Sequence, residues 1–210
     1  CMCEPVHETG GKLSEETVAW MKTQLEEAKK QGVTVIPVSH HNLLDESTLY
    51  PEECTIENTK EVTALLEAYG VPVYLSGHLH LQRIKKHTSN LNTPGGYGIR
   101  EIVTSPLPMA PCQYSILNWQ TDGSLSYHTK KVDIAGWAQR YGEEDENLLN
   151  FDAYADQFLV DVISKQAFKA LQSASKDIKE EMARLYADMN RDYCSSTKID
   201  VAKIRKSEAY

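Results

Sequence analysis

The sequence predicts an α/β region followed by an all-helical one, and three observations carry that expectation. Two short apolar runs, "VTVIPVS" at 33–39 and "VPVYLS" at 71–76, flank an amphipathic stretch of helical length. Three further runs, "YGIREIVTS", "QYSILNWQ" and "SLSYHTKKV", fall between 97 and 132 and read as strands. From about residue 135 onward the apolar residues recur at helical spacing to the end of the chain.

The elements can be justified in order. "LSEETVAWMKTQLEEAKKQG" opens with Ser14 as an N-cap and with Glu15 and Glu16 in the positive first turn. Lys29 and Lys30 sit in its last turn and Gly32 supplies the left-handed stop. Val18, Met21, Leu25 and Ala28 mark its buried stripe. The 33–39 run is β-branched without clean alternation, as expected of a strand covered on both faces, although Pro37 interrupts its donors. A helix at roughly 56–69 follows, with Val62, Leu65, Leu66 and Tyr69 on one face and Gly70 as its stop. Strand, helix and strand at this length form a βαβ unit, so the runs at 33–39 and 71–76 should be parallel. "SNLNTPGG" is a turn-rich loop, and "TDGS" at 121–124 is a hairpin turn. In the helical region two stripes stand out: Phe151, Tyr154, Ala155, Phe158, Leu159 and Val162, then Ile178, Met182, Leu185, Tyr186 and Met189. "YGEEDEN" at 141–147 lacks the EF-hand spacing and reads as a solvated turn.

Composition narrows the function. Of 210 residues, 41% are hydrophobic and 25% charged, which are globular values. A net charge of −8 argues against binding nucleic-acid polymers by phosphate neutralisation, but a bound metal can reverse the sign of a site locally. Five cysteines (Cys1, Cys3, Cys54, Cys112 and Cys194) form no C-x-x-C pair, so no structural zinc site is expected. No apolar stretch is long enough to span a bilayer. An acidic chain with scattered cysteines fits a bacterial cytoplasm and a cell-surface enzyme equally.

Histidines carry the chemistry. "VSHHNLL" and "SGHLH" each place histidine where an apolar run breaks, so His40 and His78 lie at the carboxyl ends of predicted parallel strands. On an extended backbone His78 and His80 project to the same side, with Cβ atoms roughly 6.5 to 7 Å apart. Such a pair suits two ions about 3.5 to 4 Å apart, with Gly77 letting the backbone turn and approach them. Zinc, manganese or iron suits imidazole ligation. His7 lies in a loose N-terminal stretch and His128 on an alternating strand. His87 follows Lys85 and Lys86 in a basic loop, where it could face a substrate phosphate. Ser39 lacks the G-x-S-x-G elbow of a serine nucleophile.

Together "VSHHNLL" and "SGHLH" resemble the last two metal-binding blocks of the calcineurin-like metallophosphoesterases. "GGKLSEETVAWMKTQLEEAKKQG", including Trp20, resembles the lead-in helix of that family, and the strands between 97 and 132 resemble its closing strands. The resemblance implies the second half of a four-layer α/β/β/α sandwich over residues 1–134, followed by a helical C-terminal region over 135–210. It implies that His40 and His78 bind one ion and His80 the other, as part of a two-ion centre of divalent or trivalent Mn, Fe or Zn. His41, Asn42 and His87 are candidates for supporting or substrate-facing roles, Asn42 standing where the family usually has proline. The implied activity is hydrolysis of phosphomonoesters or phosphodiesters, cyclic nucleotides among them, by metal-activated water.

One departure is large. Asp-x-His, Gly-Asp and Gly-Asn-His, which in the family supply the bridging aspartate, most other carboxylates and the catalytic histidine, occur nowhere in the chain. Three neutral imidazoles cannot hold two ions without anionic bridges. The expectation is therefore the C-terminal portion of a phosphoesterase, inactive alone, with its N-terminal half as a partner and an exposed sheet edge open to pairing or oligomerisation. The alternative is a non-catalytic remnant that serves as a binding or assembly module.

Overall fold

The computed structural model describes residues 11–45, 54–87, 98–171 and 175–207. Cys1, Cys3, His7 and the 89–96 loop lie outside the described residues. By its internal contacts the chain divides into two compact units, Cys1–Thr104 and Ser105–Tyr210. The strands after residue 104 therefore group with the helices rather than with the βαβ region.

The first unit is mixed α/β. Helix α1 (Glu15–Gln31) begins at Ser14, whose hydroxyl accepts from the Thr17 amide at 3.2 Å, and ends at Gly32 with φ 68°. Helix α2 (Thr59–Ala68) and strand β1 (Val73–Ser76) follow, then β2 (Arg83–Lys86) and β3 (Arg100–Val103). The sheet order is β1-β3-β2, with β1 parallel and β2 antiparallel to β3. Leu25, Leu43, Leu44, Ile56, Val62, Leu66, Val71, Tyr74 and Ile99 form the core, and Val18, Met21, Leu65 and Tyr69 pack against it. Most of the stripes expected on α1 and α2 thus face inward.

Two expectations for this unit need correction. The 33–39 run forms no continuous strand; it meets β1 through the single parallel bridge Val38↔Leu75. Leu75 N–H donates to Pro37 O and Ser39 N–H to Leu75 O, both at 3.0 Å. The parallel direction is as expected, but the run is not covered on both faces, since Val38 is 73% exposed. Pro37 has no N–H to extend a ladder. Second, 83–86 is a strand rather than a basic loop, because its register against β3 sets Lys85 opposite Glu101.

The second unit begins with the hairpin of β4 (Gln113–Trp119) and β5 (Leu125–Lys131), joined through the expected turn. Among the described residues five helices follow: α3 (Ile134–Tyr141), α4 (Glu146–Leu149), α5 (Phe151–Ala170), α6 (Lys176–Cys194) and α7 (Val201–Arg205). The 142–145 connector is exposed and Asp145 caps α4. The apolar stripes sit differently from expectation. On α5 the buried residue is Val160 while Phe158 is 58% exposed, and on α6 Ala183, Ala187 and Cys194 are buried while Tyr186 is exposed. Arg191 of α6 binds Asp156 of α5 at 3.3 Å, besides Asp188 and Asp192. Burial opposes its charge, but these three carboxylates outweigh that effect and raise its pKa. Cys54, Cys112 and Cys194 are buried thiols. No described helix is long and apolar enough to cross a membrane.

Candidate metal centre

Three of the predicted histidines meet just beyond the carboxyl end of β1. His78 Nδ1 lies 2.9 Å from His40 Nε2. The His41 ring stands 4.6 Å from that of His78, centroid to centroid, and 5.4 Å from that of His40. His41 is therefore as much a member of the cluster as His40. It packs on Gly11, where a Cβ would come within 3.1 Å of its Nδ1. The backbone bends at 40–41, so neighbouring side chains reach one place instead of alternating across a strand.

The backbone at 78–80 is not extended. His78 has φ 61° and His80 φ 53°, both left-handed. Few non-glycine residues adopt this region, and outliers of this kind gather at functional sites. The conformational demand thus falls on the histidines rather than on Gly77, whose added Cβ would meet only His40 O at 3.9 Å. Leu79 and Leu81, on either side of His80, are buried and anchor the loop, while His80 stays exposed. Burial, and then the nearby charges of His41, His40 and His80, lower the pKa of His78. A neutral imidazole is the form that binds a metal.

The remaining candidates separate. Asn42 is fully buried and its Nδ2 donates to Ser76 Oγ at 2.9 Å and to Gly77 O at 3.3 Å. Its Oδ1 has no partner. His87 does not join the cluster. Val103 pairs with both Ser76 and Arg83, while Lys86 pairs with Arg100. His87 therefore sits at the opposite end of the sheet, roughly 13 Å along β2 from Arg83 at 3.3 Å per residue. There its Nδ1 contacts Glu67 Oε1 at 2.7 Å. Ser39 donates its hydroxyl to His41 O at 2.5 Å, so that oxygen serves the loop rather than a nucleophile's role.

Glu101 was missed by sequence reasoning. It is a fully buried carboxylate on β3. Its Oε1 accepts from Leu43 N at 2.7 Å and from Ser76 Oγ at 2.6 Å, and its Oε2 accepts from Leu44 N at 2.6 Å. Successive amides of this kind make an anion-binding nest, and each charge-assisted bond contributes about 1.5 to 3 kcal/mol. The one available signal was a lone carboxylate inside the apolar run "REIV".

The donor set is a test of the expected ions. Three imidazoles meet here, but among the described residues no group of three or more histidine, cysteine or carboxylate side chains is arranged to hold an ion. Glu101 is fully buried and both its oxygens take hydrogen bonds from the two loops, so it serves the loops. Among the described residues the imidazoles therefore do not make up a two-ion centre by themselves.

The family comparison bears on the second unit. Residues 133–210 match the family described as the C-terminal domain of cyclic nucleotide phosphodiesterase. Among curated proteins nothing matches the chain. A dimetal phosphatase from Danio rerio is similar to 45% of the chain at 18% identity with a TM-score of 0.37. A metallophosphoesterase from Sphaerobacter thermophilus is similar to 68% of it at 16% identity with a TM-score of 0.28. The chain spans 28% and 63% of the lengths of these two structures.

Proposed function

We propose that this chain supplies the histidine-bearing part of a two-metal phosphoesterase that cleaves phosphate esters, phosphodiesters of the cyclic-nucleotide kind foremost. The observation that carries the reading is the meeting of His40, His41 and His78 beyond parallel chain ends, with left-handed backbone at His78 and His80. His40 and His78 are the proposed ligands of one ion and His80 of the other, with His41 and Asn42 supporting them. Manganese, iron or zinc suits these donors. When bound, such ions activate water and clamp the phosphoryl oxygens. The chain's own contribution is to hold the imidazoles in place, those of His78 and His80 on a loop pinned by Leu79 and Leu81. The family match over 133–210 supports both the helical C-terminal region and the substrate class.

The carboxylates are proposed to come from a preceding segment that completes a layered α/β/β/α sandwich around the three-stranded sheet. Exposed Trp20, Val33 and Val38 on the first unit support this, because they are apolar surface that a further sheet strand or layer would cover. The test is expression with and without the coding sequence upstream of residue 1, assayed on bis-p-nitrophenyl phosphate with manganese. The longer chain is expected to turn over and His78→Ala to bring it to background, while the 210-residue chain is inactive. His78-dependent turnover by the 210-residue chain, or none by the longer one, would falsify this account. A second reading, a binding or assembly module, is favoured by the half-exposed Trp137, Tyr141, Tyr154 and Phe158 of the helical unit. An upstream sequence without Gly-Asp and Gly-Asn-His motifs would decide for it.

A further inference from the structure

We infer that Glu101 is a positioning residue, a buried clamp that sets the two histidine loops against one another before any ion binds. The loops come from distant parts of the chain, 40–44 and 76–80, and among the described residues the backbone hydrogen bond between them runs from Gly77 N–H to His40 O at 3.1 Å. Glu101 reaches both from a third element. It takes the amides of Leu43 and Leu44 just after His40 and His41, and the hydroxyl of Ser76 just before Gly77 and His78. Asn42 closes the circuit through Ser76 Oγ and Gly77 O. All the contacts to Glu101 are donors, and among the described residues no lysine or arginine pairs with it. A carboxylate suits that pattern and an amide does not, since the NH2 of glutamine would face a donor. A buried polar network of this kind rigidifies when every donor is satisfied. The separation of His40 and His78 is thereby fixed by the fold, and the site is preorganised rather than assembled by metal.

The importance of the clamp for metal binding rests on the phosphoesterase reading, but the clamp itself can be tested without metal. In the metal-free chain an NOE between the rings of His40 and His78, and slow amide exchange at Leu43 and Leu44, report it. Glu101→Gln is expected to erase the NOE and to speed exchange at both amides by about tenfold, with α2 amides unchanged. Val62→Ala, a core truncation in α2, is expected to destabilise the unit and keep the NOE. An NOE that survives in Glu101→Gln, or that is lost equally in Val62→Ala, overturns the proposal. If Glu101→Gln does not fold, Ser76→Ala takes its place: it removes the hydroxyl through which Glu101 and Asn42 hold the 76–80 loop and leaves the bonds to Leu43 and Leu44, so the NOE should be lost while those two amides stay protected. A kept NOE there overturns the clamp. Zinc titration is the separate arm. The chain extended by its upstream coding sequence is the one titrated, and no zinc binding by it counts against the phosphoesterase reading alone. If it binds, Glu101→Gln should weaken it by about tenfold, and unchanged affinity would overturn the positioning role.

Discussion

His78 and His80 adopt a backbone that most residues avoid, and this concentrates the interest of the site in two side chains. His78 also makes a pH prediction. Burial and neighbouring imidazolium charges lower its folded pKa beneath the ordinary value of about 6.5. The folded state therefore binds fewer protons than the unfolded one once the pH falls below that value, and stability declines as the solution is acidified. Above it the group contributes no pH dependence. The melting temperature of the metal-free chain should fall between about pH 6.5 and 5, and His78→Asn should flatten the fall; an unchanged slope in the variant would count against it. His40 and His78 were legible in the sequence because they stand where apolar runs break. Glu101 was not, since a single carboxylate in a strand normally signals a solvent-facing position.

Helix α1 shows how far local chemistry reaches. Its cap, first-turn acids, last-turn bases and terminal glycine all appear where the sequence placed them. Gly32 has φ 68° and open space where a Cβ would go, so a substitution there costs backbone energy alone. Gly32→Ala should destabilise by about 1 to 2 kcal/mol in urea denaturation, and Gly32→Asn by less; equal losses would point to a cause other than the left-handed cap. Helices α5 and α6 show the limit. Their aromatic residues satisfy helical periodicity, yet the buried positions are Val160, Ala183 and Ala187. Small residues on α6 let α5 approach closely, and periodicity cannot say which of two overlapping stripes a partner will cover. The 33–39 run failed for a related reason, since apolar character predicts a strand only where neighbours supply both ladders.

The molecule is acidic overall, and its chain divides into two compact units. At −8 the chain should not be retained on heparin at about 0.15 M salt; retention would expose a local basic surface that net charge hides. Leu66, fully buried in the first core, anchors the unit that carries the histidines. Leu66→Ala should lower the stability of that unit by about 2 to 5 kcal/mol by calorimetry, and a loss below the low end would mean that the core collapses around the gap.

By itself the sequence determined most of the elements and their order, the parallel relation of the 33–39 run to β1, the histidines at the ends of the apolar runs and the lack of carboxylate motifs to go with them. These follow from spacing and residue chemistry, which are local. Only the tertiary structure decided that His41 joins the cluster, that His87 stands at the other end of the sheet and that Glu101 ties the two loops together. Each of these depends on strand register and on which backbone amides remain unpaired, and those are set when distant segments meet.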